Sequence, residues 1–538
     1  MTPRDVMRVV FLMGTDYEIG YQYGAYLADS IAGACTDAWV SALRRGDSRH
    51  PSAASREAVM QDLAVYRDLL ARFLPGQLDQ VQGMVDALKC QGKSISESDI
   101  LLIQAGVNRR LAAESQSIRS HLNEKDCCSW SAWGSTTTGG QLICSDSFDG
   151  DYKDQACLIV FPNDGSPYVS TVSVGELSSH FGYSFSGLFF GNSGGNGRRL
   201  VDWGYGLRWT SLVQHCVRYA QSAEEARELI EAWPHAIPEN YHLVDRNRNA
   251  LVVELTADAM SIRRPGDCRE ENFLYSTNNF MSQEMRVACD PHEEADYVPH
   301  GGWPGNAGVP RNLEIYSMLS RYAGHVDLGF AKMMWRFPGD STSGVPEHGW
   351  SNMICRLNNI RVAVVLPDEG EFGEIHICTG PVGRIIKQFR RSTFPIDGTH
   401  TFVRIPLRAS PEEMVEEMYA VARDEVALAY HHIAQLSAIN AGYAGLSEAY
   451  ARAHGALYMG RDTYYEGLLA GPSDQLRLLS SAASEFALAQ ARSSEVRELI
   501  DPPPCCPDQL GLEPWESELT APPEYGPGFA ADGRPTCL

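Results

Sequence analysis

The stretch DCCSWSAWGSTTTGGQLICSDSFD, residues 126–149, decides how the chain is read. Two runs with strand character, Ser129–Trp133 and Gln141–Ser145, flank small and polar residues that end in Gly139-Gly140. Such runs, bounded by paired glycines, predict a hairpin. The first strand opens on a cysteine pair, Cys127-Cys128, and the second runs on to Asp149, 22 residues after Cys127. A hairpin of that length returns the carboxylate to the neighbourhood of the cysteine. Upstream, Glu114 to Asp126 is polar and reads as an exposed linker. An N-terminal nucleophile needs this arrangement. If the chain cuts itself between Asp126 and Cys127, the freed α-amine, with a pKa near 7.7–8, becomes general base for the thiol of the same residue. A nearby carboxylate would orient that amine. The competing reading of such a cysteine is a small buried hydrophobe.

Working outward, Val6–Met13 reads as a strand, followed by helices over Tyr21–Arg44, Ala58–Leu88 and Ile100–Leu111. Pro75 should break the second of these, and Ser96 with Asp99 should cap the third. After the hairpin come strands at Ala156–Phe161, Tyr168–Val172, Gly182–Phe190, Tyr241–Asp245, Ala250–Leu255, Phe273–Ser276, Arg361–Leu366 and Glu374–Thr379. Helix pairs interrupt them at Gly206–Ala220 with Ala223–Trp233, and at Asn312–Tyr322 with Leu328–Trp335. Strand runs broken by helix pairs predict a layered α+β fold. Ser410 to Ile500 is helical by pattern, and the last 38 residues carry nine prolines.

Of the 538 residues, 44% are hydrophobic and 21% charged, which excludes disorder throughout. The 45 Lys and Arg against 68 Asp and Glu leave a charge of −23, which disfavours nucleic acid and anionic membranes as partners. No run approaches the roughly 18 apolar residues that would span a bilayer, and the apolar run at Val9 to Met13 is too short for a signal-peptide core. A soluble, cytoplasmic protein is expected. The fourteen cysteines are scattered, with no CxxC. Neither a metal site nor a cofactor is indicated. DSFDGDYKD misses calcium-loop spacing, GNSGGNGRR lacks a P-loop lysine, and adjacent His431 and His432 in a helix face different ways.

The hairpin resembles the nucleophile segment of the autoproteolytic acyltransferase/hydrolase family of acyl-coenzyme A:6-aminopenicillanic acid acyltransferase. That family belongs to the N-terminal-nucleophile hydrolases and is more distantly similar to acid ceramidase and bile-salt hydrolase. The resemblance rests on Cys127, Cys128-Ser129, Trp133-Gly134, Gly139-Gly140 and Ser147-Phe148-Asp149. It extends to GTDYEIGYQYG at 14–24, to the paired strands within NYHLVDRNRNALVVELTADAMSIRRP, to Ser276-Thr277-Asn278-Asn279-Phe280, to Arg311 opening a helix, and to GEIHICTGPVG at 373–383. It implies a four-layered αββα sandwich with an appended C-terminal helical region. By resemblance, Cys127 is the nucleophile, Asp149 holds its amine, and the Asn278 amide donates to the oxyanion. Asn192 would add a second donor. Arg311 would pair with Asp149 or bind a substrate carboxylate.

The chain departs from the family's pattern at three places. Asp146 stands where relatives commonly carry an arginine, so a cation near the nucleophile is missing and two carboxylates stand close in sequence. Tyr23 and Asn279 replace histidines. Cys128 competes with Cys127, which is favoured because it keeps the spacing to Gly134 and Asp149. The expected organisation is an N-terminal helical segment at 1–126, a catalytic core at 127–400, a helical appendage at 401–500 and a Pro-rich tail at 501–538. The expected function is hydrolysis of a non-peptide amide in a small molecule by a self-cleaved 1–126/127–538 form. An amide-forming acyltransferase and a non-catalytic binding relative are the alternatives. Homo-oligomerisation is left open.

Overall fold

In a computed structural model of the chain we describe residues 7–43, 56–105, 127–149, 154–195, 200–285, 308–337, 354, 359–379, 401–437, 444–500 and 507–512. The predicted linker Glu114–Asp126 and most of the Pro-rich tail lie outside them. Two sheets form the centre. The eight-stranded sheet runs in the order β1 (Arg8–Gly14), β4 (Gln155–Pro162), β5 (Tyr168–Ser173), β6 (Phe181–Ser184), β7 (Phe189–Gly194), β8 (Glu239–Val244), β9 (Ala250–Leu255) and β10 (Met260–Arg263). The six-stranded sheet runs β11 (Phe273–Ser276), β2 (Cys128–Gly134), β3 (Gly140–Asp149), β12 (Asn359–Leu366), β13 (Glu374–Thr379) and β14 (Val403–Pro406). The predicted hairpin is β2–β3, closed through Gly139 and Gly140, whose φ values of 70° and 76° suit glycine. The single strand expected over Gly182–Phe190 is two, β6 and β7, because the chain turns at Gly187, where φ is 96°.

The apolar faces show the layering. Leu142 and Cys144 of β3 and Ala363 and Val365 of β12 meet Phe11 of β1, Ile159 of β4 and Phe189 of β7, so the two sheets pack face to face. The other face of the eight-stranded sheet is covered by α1 (Asp16–Tyr26), α2 (Ala28–Leu43), α3 (Arg56–Phe73), α4 (Pro75–Cys90), α5 (Glu97–Ala105), α6 (Trp209–Tyr219) and α7 (Ala223–Glu231). The outer face of the six-stranded sheet is covered by α8 (Gly308–Arg321) and α9 (Leu328–Met334). This is the αββα sandwich. Pro75 sits at the start of α4, as its missing N–H and fixed φ favour.

The helices after residue 400 do not stand apart from this core. β14 pairs with β13, and α10 (Pro411–Ser437), α11 (Ala444–Leu469) and α12 (Pro472–Ile500) add Met414, Leu457, Leu479 and Phe486 to the apolar cluster that includes the inner faces of the sheets. The edge strand β1 meets α12, where the hydroxyls of Ser480 and Ser484 accept from the Phe11 and Val9 amides at 2.9 and 3.0 Å. The edge strand β14 is met by Gln490, which accepts from the Arg404 amide and donates to its carbonyl. One helix thus satisfies edge backbone groups of both sheets, which would otherwise pair with another chain.

The N-terminal motif has a packing role. A Cβ on Gly20 would stand 1.9 Å from the Gln80 carbonyl oxygen, so α1 and α4 meet backbone to backbone. Tyr23 is buried, and its hydroxyl accepts from the Gly175 amide at 2.8 Å, fixing α1 to the turn after β5. Gly20→Ala should therefore destabilise the protein by about 1–3 kcal/mol, the usual cost of overpacking. The measurement is the urea midpoint at unchanged slope, and an unaltered midpoint would show that the helices part freely.

Candidate active site

Alternation along β3 sorts the site residues onto two faces. Leu142 and Cys144 face the other sheet, whereas Ile143 faces α8 and α9. Asp146 and Phe148 follow the first pair inward, and Asp149 turns outward. Asp146 Oδ1 accepts from Ser129 Oγ at 2.5 Å and, across the sheets, from the Asn192 amide of β7 at 3.3 Å. Asp149 Oδ1 accepts from the side-chain amide of Asn359, and Oδ2 lies 3.8 Å from Arg311 Nη1. The two carboxylates that sequence places close together therefore have different neighbours.

Arg311 is fully buried, not a surface charge. Its Nη2 donates to Asn278 Oδ1 at 2.7 Å, and its Nη1 donates to Cys128 Sγ at 2.9 Å and to the Cys127 carbonyl at 3.4 Å. With Oδ1 held by the guanidinium, the Asn278 amide nitrogen is left as the donor, and it reaches the Gly194 carbonyl at 3.1 Å. The loop after β11 is fastened beside it. Asn312, next to Arg311 on α8, donates to Asn279 Oδ1 at 2.6 Å, and Asn240 donates to the Thr277 carbonyl at 2.8 Å. Asn279, one of the departures, thus serves to seat Asn278. Cys127, Cys128, Asp149, Asn278 and Arg311 are brought together.

Cys127 is buried and packs with Phe148 and Ile360. Strand alternation puts Cys128 among the outer-face residues, with Trp130 and Ala132, so the two thiols belong to opposite faces of β2. Asn192 is also buried, and neither polar atom of its side chain has a partner among the described residues. Sequence reasoning missed Arg361. It sits on β12 opposite Phe148, its guanidinium carbon 4.6 Å from the centre of that ring. The signal was present in NIRVAVVL, where one arginine interrupts an otherwise apolar strand. Nη2 donates to Ser179 Oγ at 2.6 Å, while Nε and Nη1 have no partner among the described residues. Burial pulls this guanidinium down to about 10, which leaves it cationic at neutral pH. The aromatic stack continues from Phe148 to His180, centroids 4.2 Å apart, and on to Trp209 at 4.8 Å. Among the described residues, no group of three His, Cys, Asp or Glu side chains is placed to hold a metal.

Burial pushes the Asp146 carboxyl well above the usual carboxylate range, against the opposing effects of Ser129 and Arg361. The folded state thus keeps a proton that the unfolded chain releases near pH 4, and stability falls as pH rises through the folded value. Asp146→Asn removes that dependence and retains an oxygen to accept from Ser129 and Asn192. Urea midpoints should therefore show the variant gaining on the parent from pH 5 to pH 8, whereas a constant gap would mean that Asp146 is ionised throughout.

No curated protein matches the chain. Solved structures that resemble it include a Caenorhabditis elegans N-acylethanolamine-hydrolyzing acid amidase ortholog, at TM-score 0.31 and 12% identity over 46% of this chain and 96% of that one. A mutant of conjugated bile acid hydrolase from Clostridium perfringens follows at TM-score 0.30 and 11% identity, over 47% and 89%. Penicillin V acylase from Agrobacterium tumefaciens stands at TM-score 0.30 and 12%, over 47% and 83%. Values this low carry no argument about activity. Residues 204–293, which run from the turn before α6 through β11 to the Asn278 loop, match the sequence model of the acyl-coenzyme A:6-aminopenicillanic acid acyl-transferase family, the same family that the hairpin and its companion motifs resemble.

Proposed function

We propose that the protein is a cysteine N-terminal-nucleophile amidohydrolase acting on a non-peptide amide. The observation that carries this reading is the convergence on one buried guanidinium, Arg311, of the Cys127 carbonyl, Asp149 and Asn278. In maturation, the Cys127 thiol attacks the Asp126 carbonyl and displaces its own backbone nitrogen. Water then hydrolyses the thioester, leaving Asp126 with a carboxylate and Cys127 with a free α-amine. Because β1 is paired with β4 and covered by α12, the 1–126 piece remains part of the fold after the cut.

In turnover, the α-amine takes the thiol proton and sulfur attacks the substrate carbonyl. Negative charge gathers on the carbonyl oxygen, where the Asn278 amide donates; removing one such donor typically costs about 10²–10³-fold in rate. Arg311 fixes which end of that amide faces the reaction, and Asp149 steadies the ammonium. Asn192 is a second candidate donor, buried and without a partner for its side chain among the described residues. The C–N bond breaks as the ammonium protonates the leaving nitrogen, and water releases the acyl group from the thioester. Amide-forming acyl transfer uses the same thioester with an amine in place of water, and the family matched over 204–293 is named for that reaction.

Intact-mass measurement tests the proposal. Wild type and Cys128→Ala should give chains 1–126 and 127–538 that co-elute under native conditions, and Cys127→Ala should stay whole. A single wild-type chain that also fails to react with a thiol probe would overturn it. A cut Cys127→Ala protein would move the nucleophile elsewhere.

A further inference from the structure

We infer that α11 is a dimerisation helix, which two copies of the chain pack against itself, antiparallel, across a two-fold axis at Gly455. None of its residues belongs to the group around Cys127, so the surface stands independently of the acyl-transfer reading. Glycine inside a helix weakens it relative to alanine, because the unfolded chain gives up more freedom. Gly455, Gly460 and Gly467 all lie inside α11. A Cβ on Gly460 would stand 2.6 Å from the Phe486 ring, and one on Gly467 would stand 3.3 Å from Leu478, so these two let α12 approach. A Cβ on Gly455 would meet nothing within 4 Å. Among the described residues no neighbour uses the missing side chain of Gly455; a helix from a second molecule would.

The face around Gly455 has the composition of an interface. Tyr458 and Met459 are 44% and 61% exposed, and Tyr430 of α10 is 55% exposed. Rings run from Tyr430 through Tyr450 and His454 to Tyr458, with centroids 5.8, 5.8 and 4.5 Å apart, and Arg461 lies 4.4 Å over the last. Neither 426–437 of α10 nor 453–460 of α11 holds a Lys, Arg, Asp or Glu, in a chain that is 21% charged. Aromatic residues, Met and Arg gathered where Lys and acids are missing mark the core of an interface.

A second copy fits this face. Chains of charge −23 repel one another, and they meet with least repulsion where the surface is uncharged. Antiparallel pairing about Gly455 sets the small Ala451 of one copy beside the large Met459 of the other. It also brings Arg452, paired with Glu448 of its own helix at 3.8 Å, between that acid and Asp462 of the second copy. Parallel pairing would instead set Glu448 against Glu448 and Asp462 against Asp462. The 26 residues of α11 span about 39 Å, and with α10 beside it the face is about 20 Å wide, matching the ~800 Å² that each partner gives to a standard interface.

Sedimentation equilibrium of the full-length protein at micromolar concentration should give twice the mass of one chain, cut or uncut. Gly455→Glu adds a side chain where the monomer has open space, so helix content by circular dichroism should stay. Its dissociation constant should rise by about 30-fold or more, the effect that defines a hot spot. On a Cys90→Ser background, which removes an exposed native thiol, Gly455→Cys should oxidise to a covalent dimer. Glu466→Cys should not, because antiparallel pairing holds the two 466 positions about 30 Å apart. A monomeric wild type overturns the inference and leaves the face to another partner. A dimer that Gly455→Glu leaves intact, or that Gly455→Cys fails to bridge, forms through another surface and overturns it too. A bridge through Glu466→Cys overturns the antiparallel pairing. Should Gly455→Glu fail to fold, Met459→Lys decides, since that exposed side chain supports nothing in the monomer core.

Discussion

The period of two along β3 is the constraint on which the site depends. Successive side chains of a strand point to opposite faces, and a slip of one residue would exchange every one of them. The hairpin closed at Gly139-Gly140 holds the register in which Cys128 pairs with Ser147 and Ser129 with Asp146. That register sends Asp149 towards α8 and Phe148 towards the other sheet. The backbone of Cys127 is thereby reached from one side by Arg311, while its side chain packs with Phe148 on the other. The chemistry is divided by the thickness of one strand.

Two buried guanidiniums stand on the two sides and are unlike. Arg311 has Asn278, Cys128 and the Cys127 carbonyl around it, with Asp149 at 3.8 Å, so its charge is matched within the fold. Arg361 has a hydroxyl and an aromatic face in direct contact, with Glu176 and then Asp146 acting on it through space. In a low-dielectric interior the first arrangement orders its neighbours through direct hydrogen bonds, whereas the second acts on its carboxylates without touching them. The chain's charge of −23 says nothing of either, because it is a sum dominated by the surface.

Much of this was readable beforehand. Strand, turn and helix signals anticipated β9, β11 and β13 to the residue, the break at Pro75 and the Ser96–Asp99 cap of α5, because each is a local effect of periodicity or capping. The hairpin and its returning Asp149 were equally local. What stayed hidden was set by partners distant in sequence. Arg361 meets Phe148 from more than two hundred residues away, and no spacing rule links an arginine on one strand to a ring on another. The burial of Arg311 and its bond to Asn278 were hidden too, because both depend on the loop after β11. The helices after residue 400 looked detached, since their pattern is helical throughout and only the packing shows Leu479 and Phe486 in one apolar cluster with the inner faces of the sheets. Tyr23 and Asn279 stood out as losses from a motif; in the fold each makes a hydrogen bond of its own that fastens a neighbouring segment.

The serines that α12 sets against β1 carry a consequence for how the protein is made. Val9 and Ser484 are 475 residues apart, so β1 leaves the ribosome long before the helix that covers its edge. At about 5–20 residues per second, that interval is on the order of half a minute to a minute and a half. Throughout it, the edge of β1 is available to any neighbouring nascent chain. The completion of α12 thus sets the earliest moment at which the hydroxyls of Ser480 and Ser484 can close the β1 edge.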